Sequence, residues 1–329
     1  MNQAEVKQIE DLLKTKAGDL LLDLLARPSM ASELLENNKQ TNHWLLDHRK
    51  DINSQRGEDG VLAKICEHIP SEGERWCVEF GTLDGKSHSN TLELIENHGW
   101  NSIQIEGDAT YFQLLCETHK NNKKVQCINA WVGLAPNNRL DDILAETAAP
   151  SEIDILSIDI DGADYYIWES LKNYSPKIVV IEFNPTIHPE VSFTQPPDVS
   201  ISQGSSLRAM WELGKEKGYT LVCNTRANAI FVRQDLAKPF GIDDTDPAFF
   251  FRTPELISYL FQLYDGTLTV KGYRLLNWLK IAFGEMDLQA IPGLFRGKNM
   301  SRFPRLRKLW LKHFHADRYA NRKPIEKDY

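Results

Sequence analysis

Val78-Glu79-Phe80-Gly81-Thr82-Leu83-Asp84-Gly85-Lys86 is the stretch whose reading decides the fold. Cys77 to Phe80 reads as the end of a buried strand and Gly81 to Gly85 as a tight turn. Ser87 onward, through Thr91-Leu92-Glu93-Leu94-Ile95-Glu96, reads as a helix. A strand, a glycine turn and a helix start are the parts of a cradle for nucleotide-like ligands, because helix N-termini aim backbone N–H groups at whatever binds there. Glycine is expected in the turn because a Cβ would hold the chain off the ligand. The spacing is neither the GxGxxG of dinucleotide sites nor the GxxxxGK of a phosphate loop, which argues against a nicotinamide-dependent oxidoreductase. An acidic residue beside the turn, Glu79, suits a cationic or amino-bearing ligand better than a phosphate.

A second half of the cradle follows. Ser102-Ile103-Gln104-Ile105-Glu106-Gly107-Asp108 reads as a short strand ending in Glu106, 27 residues after Glu79. That separation is close to one strand–helix–strand unit, and an acid at this point takes ribose hydroxyls in mononucleotide-binding halves.

Further strands are expected at Val125 to Ala130, Ile153 to Asp159 and Lys177 to Asn184. Tyr219 to Cys223 and Ala229 to Arg233 read as an antiparallel pair. Helices fall between most of them, for example Val61 to Ile69, Tyr166 to Asn173 and Ser206 to Lys217. Strands alternating with helices imply an α/β fold, a doubly wound, Rossmann-like seven-stranded sheet. Helical extensions are expected at both ends. The domain reading is residues 1–50 as an N-terminal helical extension, 51–235 as the Rossmann-like domain, and 236–294 as helices joined by Pro and Gly turns. A basic amphipathic helix over 303–320 then completes a C-terminal extension spanning 236–329.

The chain resembles class I S-adenosylmethionine-dependent methyltransferases, and more narrowly the FkbM family. The likeness is carried by Ser54-Gln55-Arg56-Gly57-Glu58-Asp59-Gly60, by Val78-Glu79-Phe80-Gly81 with Asp84-Gly85, by Ser89-Asn90-Thr91 and His98-Gly99-Trp100, and by Ile105-Glu106 and Ile158-Asp159-Ile160-Asp161-Gly162. It runs from about residue 54 to 233. It implies a cofactor, S-adenosyl-L-methionine, held by Glu79, Gly81, Asp84, Gly85, Glu106, Gly107, Trp131 and Asp159. In that family the adenine lies against the loop after the third strand, so Trp131 is either its stacking wall or a core aromatic. Ser54 to Gly60 is either a helix cap with acids at the positive end or a lip of the cofactor mouth.

Ligands on such sheets bind beyond the carboxyl ends of the strands. Asp159 and Asp161, Glu182 and Asn184, and Glu106 all fall there. One reading makes Asp159, Asp161, Glu182 and Asn184 ligands of Mg²⁺ or another divalent cation that acidifies a substrate hydroxyl. Another makes Asp159, Asp161 or His188 a metal-free general base. A structural reading has Asp161 and Asp164 capping the helix that follows.

Composition sets outer limits. The chain has 329 residues, 42% hydrophobic and 26% charged, and a net charge of −8, ordinary values for a globular protein. No apolar run approaches ~18 residues, so no membrane span is expected, and the first residues lack a secretory pattern. Five scattered cysteines without CxxC spacing argue for reduced thiols and a cytoplasmic setting. Residues 295–329 carry 11 Lys/Arg against 3 Asp/Glu. The acidic remainder argues against nucleic acid as a partner. The basic helix over 303–320 reads as a solvated helix, as a peripheral contact with the inner membrane face, or as a grip on an acidic or phosphorylated acceptor. The apolar stripe within residues 4–37 reads as a packing helix or a homo-oligomer contact. The resemblance implies O-methylation of a hydroxyl on a sugar, glycan or natural product. The alternative is a non-catalytic binding or assembly protein on the same scaffold, with the basic C-terminal helix as its surface.

Overall fold

The computed structural model describes residues 44–71, 73–242, 245–263, 265–276 and 279–290. The helices expected within 4–37 and over 303–320 lie outside these residues. The described residues fall into two units, one up to Pro254 and one from Glu255 on.

The larger unit opens with a 3₁₀ turn, Trp44–His48, and α1, Glu58–His68. Then come β1 (Trp76–Phe80), α2 (Leu92–His98), β2 (Asn101–Glu106), α3 (Ala109–His119), β3 (Val125–Asn129) and α4 (Leu140–Ala145). They are followed by β4 (Ile155–Ile158), α5 (Asp164–Ser170), β5 (Ile178–Glu182), α6 (Leu207–Glu216), β6 (Tyr219–Asn224) and β7 (Asn228–Arg233). The seven strands make one sheet in the order β3-β2-β1-β4-β5-β7-β6. β1 to β5 are parallel, and β7 runs antiparallel between β5 and β6. This is the doubly wound sheet expected from the alternation of strands and helices.

Burial follows position in the sheet. β4 is buried throughout, as a parallel strand covered on both faces must be. β3, at the edge, is only partly covered. Local chemistry fixes the helix starts. Asp108 accepts from Thr110 N and Tyr111 N at the head of α3, and Ser206 accepts from Ala209 N at the head of α6. Trp168 of α5 is fully buried against Phe231 (4.9 Å between ring centroids) and Tyr219 (5.6 Å), pinning α5 over β6 and β7.

The strand order reverses between β1 and β4. Such a reversal opens a crevice at the carboxyl ends of the strands, because the connections on either side leave in opposite directions.

The helical expectation for 236–294 is corrected. Residues 234–249 hold three short 3₁₀ turns, Gln234–Leu236, Lys238–Phe240 and Pro247–Phe249. In the smaller unit, β8 (Ser258–Gln262) pairs antiparallel with β9 (Leu268–Gly272), and β10 (Leu275–Leu276) with β11 (Ile281–Ala282). Tyr259, Leu260 and Phe261 alternate across a ribbon, and aromatic residues favour strands over helices. No helix among the described residues is long and apolar enough to cross a membrane.

Candidate functional site

Register builds the site. Phe80 pairs with Ile105 on one side and Ile158 on the other, so Gly81 lies level with Glu106 and Asp159. Glu106 pairs with Asn129, Ile158 with Ile181, and Glu182 with Asn228. The carboxyl edge of the sheet therefore carries a row: Asn129, Glu106, Gly81, Asp159, Glu182, Asn228. Glu79 pairs with Gln104, two residues before Glu106, so Glu79 and Glu106 share one face of the sheet.

Gly81 stands at the centre of the row with φ +74°. A Cβ there would come within 2.1 Å of the Asp159 carbonyl oxygen. Its glycine is required by the close approach of the chain leaving β4, a different reason from the ligand clearance expected from sequence. Gly85, at φ +73°, is likewise closed in by Leu115 and His119 of α3. Asp84 uses its carboxylate on its own turn, accepting from Lys86 N (3.0 Å), Ser87 N (2.7 Å) and Ser87 Oγ (3.0 Å).

Glu79 is buried and accepts from Ser89 Oγ (2.6 Å), Thr91 Oγ1 (2.6 Å) and Asn90 N (2.8 Å). Asn90 Nδ2 donates to Ser157 Oγ of β4 at 3.1 Å, and Gln104 Nε2 donates to Thr91 Oγ1 at 3.0 Å. Three of the roughly four acceptor positions of the carboxylate are thus committed to the 89–91 turn, leaving about one for a ligand. The Ser89-Asn90-Thr91 segment works as a socket for Glu79, which adjacency in sequence does not reveal.

Glu106 is buried at the mouth. Its Oε2 accepts from Leu83 N (2.8 Å) and its Oε1 from Asp108 N (2.7 Å), tying the first turn to the second. Leu83 sits at φ +51°, a left-handed conformation that bulky side chains avoid. Past Glu106, a Cβ on Gly107 would fall 2.3 Å from the Trp131 indole. Trp131 nevertheless remains 70% exposed. One face of the ring lies on a backbone that only glycine permits, and most of its surface is open. Of the two sequence readings of Trp131, core aromatic or wall, the exposure excludes the first.

On the other side of Gly81, carboxylate oxygens of Asp159, Asp161 and Glu182 lie within 4.8 Å of one another. Burial, then the charges of Asp164 and Asp161, push Asp159 well above the usual carboxylate range. Burial and the charge of Asp159 push Glu182 up in the same way. Asp161 is exposed and sits at φ +59°. The residue that shapes this turn is Asp164. Fully enclosed, it accepts from Ile160 N (2.9 Å) and Gly162 N (2.8 Å), and burial raises its pKa to about 6. The expected cap is corrected: Ala163 is the N-cap of α5 with no side-chain hydrogen bond, and the Asp164 carboxylate turns back to the N–H groups on either side of Asp161.

Asn184 is not part of the triad. Its Nδ2 donates to Gln203 O (2.8 Å) and its Oδ1 accepts from Thr186 N (2.9 Å) and Thr186 Oγ1 (2.6 Å), so it braces the loop after β5. His188 lies in the same loop, with Nδ1 accepting from Glu190 N at 3.3 Å. In Ser54 to Gly60 the acids Glu58 and Asp59 stand in the first turn of α1, but the N-cap is Gly57 and no side chain caps the helix. Asp59 Oδ2 accepts from the backbone of Ile52, Asn53 and Ser54 and from Ser54 Oγ, all at 2.8 Å. Glu58 Oε1 accepts from Thr225 Oγ1 (2.5 Å) and Asn228 Nδ2 (3.1 Å), anchoring α1 to the β6–β7 turn.

An FkbM methyltransferase domain model matches residues 134–221. No curated protein matches the chain. Among solved structures, the CurJ carbon methyltransferase is 12% identical at a TM-score of 0.37, covering 54% of this chain and 52% of that one. The CMeT domain of the citrinin polyketide synthase is 10% identical at 0.38, covering 54% and 51%. A SAM-dependent methyltransferase from Aquifex aeolicus is 12% identical at 0.34, covering 59% and 94%. The chain spans about half the length of the first two. Likeness at these scores carries nothing about substrate. Residues 134–221 are thus similar to the FkbM methyltransferase domain, and they form part of a Rossmann-like seven-stranded α/β sheet.

Proposed function

We propose that the protein transfers a methyl group from S-adenosyl-L-methionine to a hydroxyl of a sugar, glycan or natural product. The observation that carries this reading is the row Glu106, Gly81, Asp159, Glu182 at the point where the strand order reverses. An acid flanks the turn on each side, and an exposed aromatic stands beyond Glu106. That set fits a ligand with a flat base, a ribose and a positive sulfur.

Trp131 and Gly107 offer the stacking face for the base, and Glu106 the acceptor for ribose hydroxyls. Glu79 holds the 89–91 turn and keeps about one acceptor position for the amino end. When bound, the cofactor supplies an electrophilic methyl on a sulfonium. Asp159, in its ionised form and with a proton affinity raised by burial, takes the proton of the acceptor hydroxyl on a carboxylate oxygen, while Glu182, raised to about 9, stays protonated beside it at neutral pH. The higher the proton affinity of the carboxylate, the stronger a base its ionised form is. Orientation of the hydroxyl contributes much of the remaining rate.

Incubation with isotope-labelled methyl donor and a panel of glycans and hydroxylated small molecules tests this, read as a mass gain of one CH₂. Transfer that falls at least ~100-fold in Asp159→Asn is expected for a positioned base. Cofactor binding without transfer to any acceptor would favour the binding-protein alternative.

The 4.8 Å triad gives a second reading some support, with Asp159, Asp161 and Glu182 holding a divalent cation such as Mg²⁺. A chelator separates the two. Rates unchanged in EDTA support the proton-accepting carboxylates, and a loss restored by Mg²⁺ supports the cation.

A further inference from the structure

The connection from Glu182, the end of β5, to Leu207, the start of α6, is far longer than the sheet requires. Loops longer than about 12–15 residues inside a compact unit usually serve function. At the middle of this one lies a buried side chain that ties its two arms together. Gln195 is fully buried, and its amide is fully used. Oε1 accepts from Gly204 N (2.8 Å) and Gln203 N (3.2 Å), and Nε2 donates to Ile201 O (2.9 Å) and Asp198 O (3.3 Å). The Gln195 carbonyl accepts from Tyr166 Oη at 2.6 Å, fastening the loop to α5. Asn184 holds the start of the loop to Gln203 O.

The tied loop rests on the acid turn. A Cβ on Gly162 would fall 2.3 Å from Ile201 O and 3.3 Å from the Gln195 amide. Gly162 follows Asp161, whose left-handed backbone is clamped from the other side by Asp164. The loop therefore forms the wall against which Asp161 is presented. Its outer stretch, residues 196–200, is exposed: Pro196, Pro197, Asp198, Val199 and Ser200. The carboxylate of Asp198 is taken by Ser200 N (2.9 Å) and Ser200 Oγ (2.7 Å). Between Glu182 and Leu207 there is no Lys or Arg, while Glu190, Asp198 and the triad are acidic.

We infer that this loop is the acceptor-binding wall, that Gln195 is the positioning residue setting Asp161 at its edge, and that the acceptor is an uncharged, hydroxyl-bearing compound. The inference rests on the methyl-transfer reading above. Phosphorylated or carboxylated acceptors meet like charge here, and the loop itself offers no Lys or Arg to receive them, so an unpaired anion against this wall is disfavoured. Hydroxyls find the grouped carboxylates of Asp159, Asp161 and Glu182 as acceptors.

The test uses the full chain, S-adenosylhomocysteine titrations, and labelled transfer to neutral methyl glycosides beside the matching sugar phosphates. Transfer to neutral glycosides at least tenfold better in kcat/KM than to the phosphates is expected. Gln195→Leu should raise the acceptor KM at least tenfold and leave S-adenosylhomocysteine affinity within twofold, with Gln195→Glu restoring part of the loss. A preference for phosphates overturns the acceptor assignment. So does binding of S-adenosylhomocysteine with no transfer to any neutral glycoside, which leaves the cofactor reading standing. Failure to bind S-adenosylhomocysteine removes the reading beneath it. Equal loss of cofactor affinity and transfer in Gln195→Leu, without rescue, makes Gln195 merely structural and overturns its positioning role.

Discussion

Asp164 shows how much a single enclosed carboxylate determines. It touches two backbone N–H groups that hold Asp161 in a left-handed conformation, and burial lifts its pKa from 3.8 to about 6. The folded chain thus keeps this proton over a range in which the unfolded chain has released it. The stability it contributes is full below the unfolded pKa of 3.8 and is lost as pH rises through about 6. In Asp164→Asn, one of the two N–H groups loses its acceptor, which costs about 1–3 kcal/mol. The variant should therefore be less stable than wild type near the acid end of this window, with the gap narrowing above it. Urea denaturation at several pH values checks this, and a constant gap would contradict the assignment. Gly81 makes a separate demand. Gly81→Ala places a Cβ against the Asp159 carbonyl at a positive φ, and should cost more than ~1 kcal/mol by thermal melting. Glycine at 81 and 85 was legible from sequence, but its cause was not, because the contacting atoms come from the chain leaving β4 and from α3.

The elements were legible where pattern and period agreed. Apolar runs such as Ile178 to Ile181 announce strands buried on both faces, and the acid that ends each one announces the crevice. What joins those acids is register, which a lone sequence does not carry. Asn129 and Asn228 entered the row only through their pairing with Glu106 and Glu182. Residues 258–272 failed because a short aromatic run fits a helix face and a ribbon equally well. Asn184 failed because its amide is satisfied inside its own loop. The Glu79 socket is the element whose removal is most informative. Glu79→Gln replaces an acceptor of three hydrogen bonds by a group with a single acceptor oxygen. A loss of about 1–3 kcal/mol by urea denaturation is expected. Stability equal to wild type would mean that the 89–91 turn holds without it.

The whole molecule concentrates negative charge where its sheet order reverses. Burial first, and mutual repulsion second, raise the proton affinities of Asp159 and Glu182. A bound positive charge favours their ionised forms, so a sulfonium should bind better as these groups lose protons. S-adenosylmethionine carries that charge and S-adenosylhomocysteine does not. Their affinity ratio should move toward S-adenosylmethionine as pH rises from neutral to mildly alkaline, and Asp159→Asn should flatten the trend. A ratio independent of pH would place the sulfur away from the triad. The central claim, a cofactor pocket at the ends of β1 and β2, is tested most directly at Trp131, whose exposed ring can be removed without opening the core. Calorimetric titration of S-adenosylhomocysteine into wild type and Trp131→Ala should show saturable binding weakened about 5- to 150-fold in the variant, the effect of losing about 1–3 kcal/mol of base stacking, with an unchanged melting temperature. No binding to wild type at millimolar ligand, or equal binding by both proteins, would contradict it.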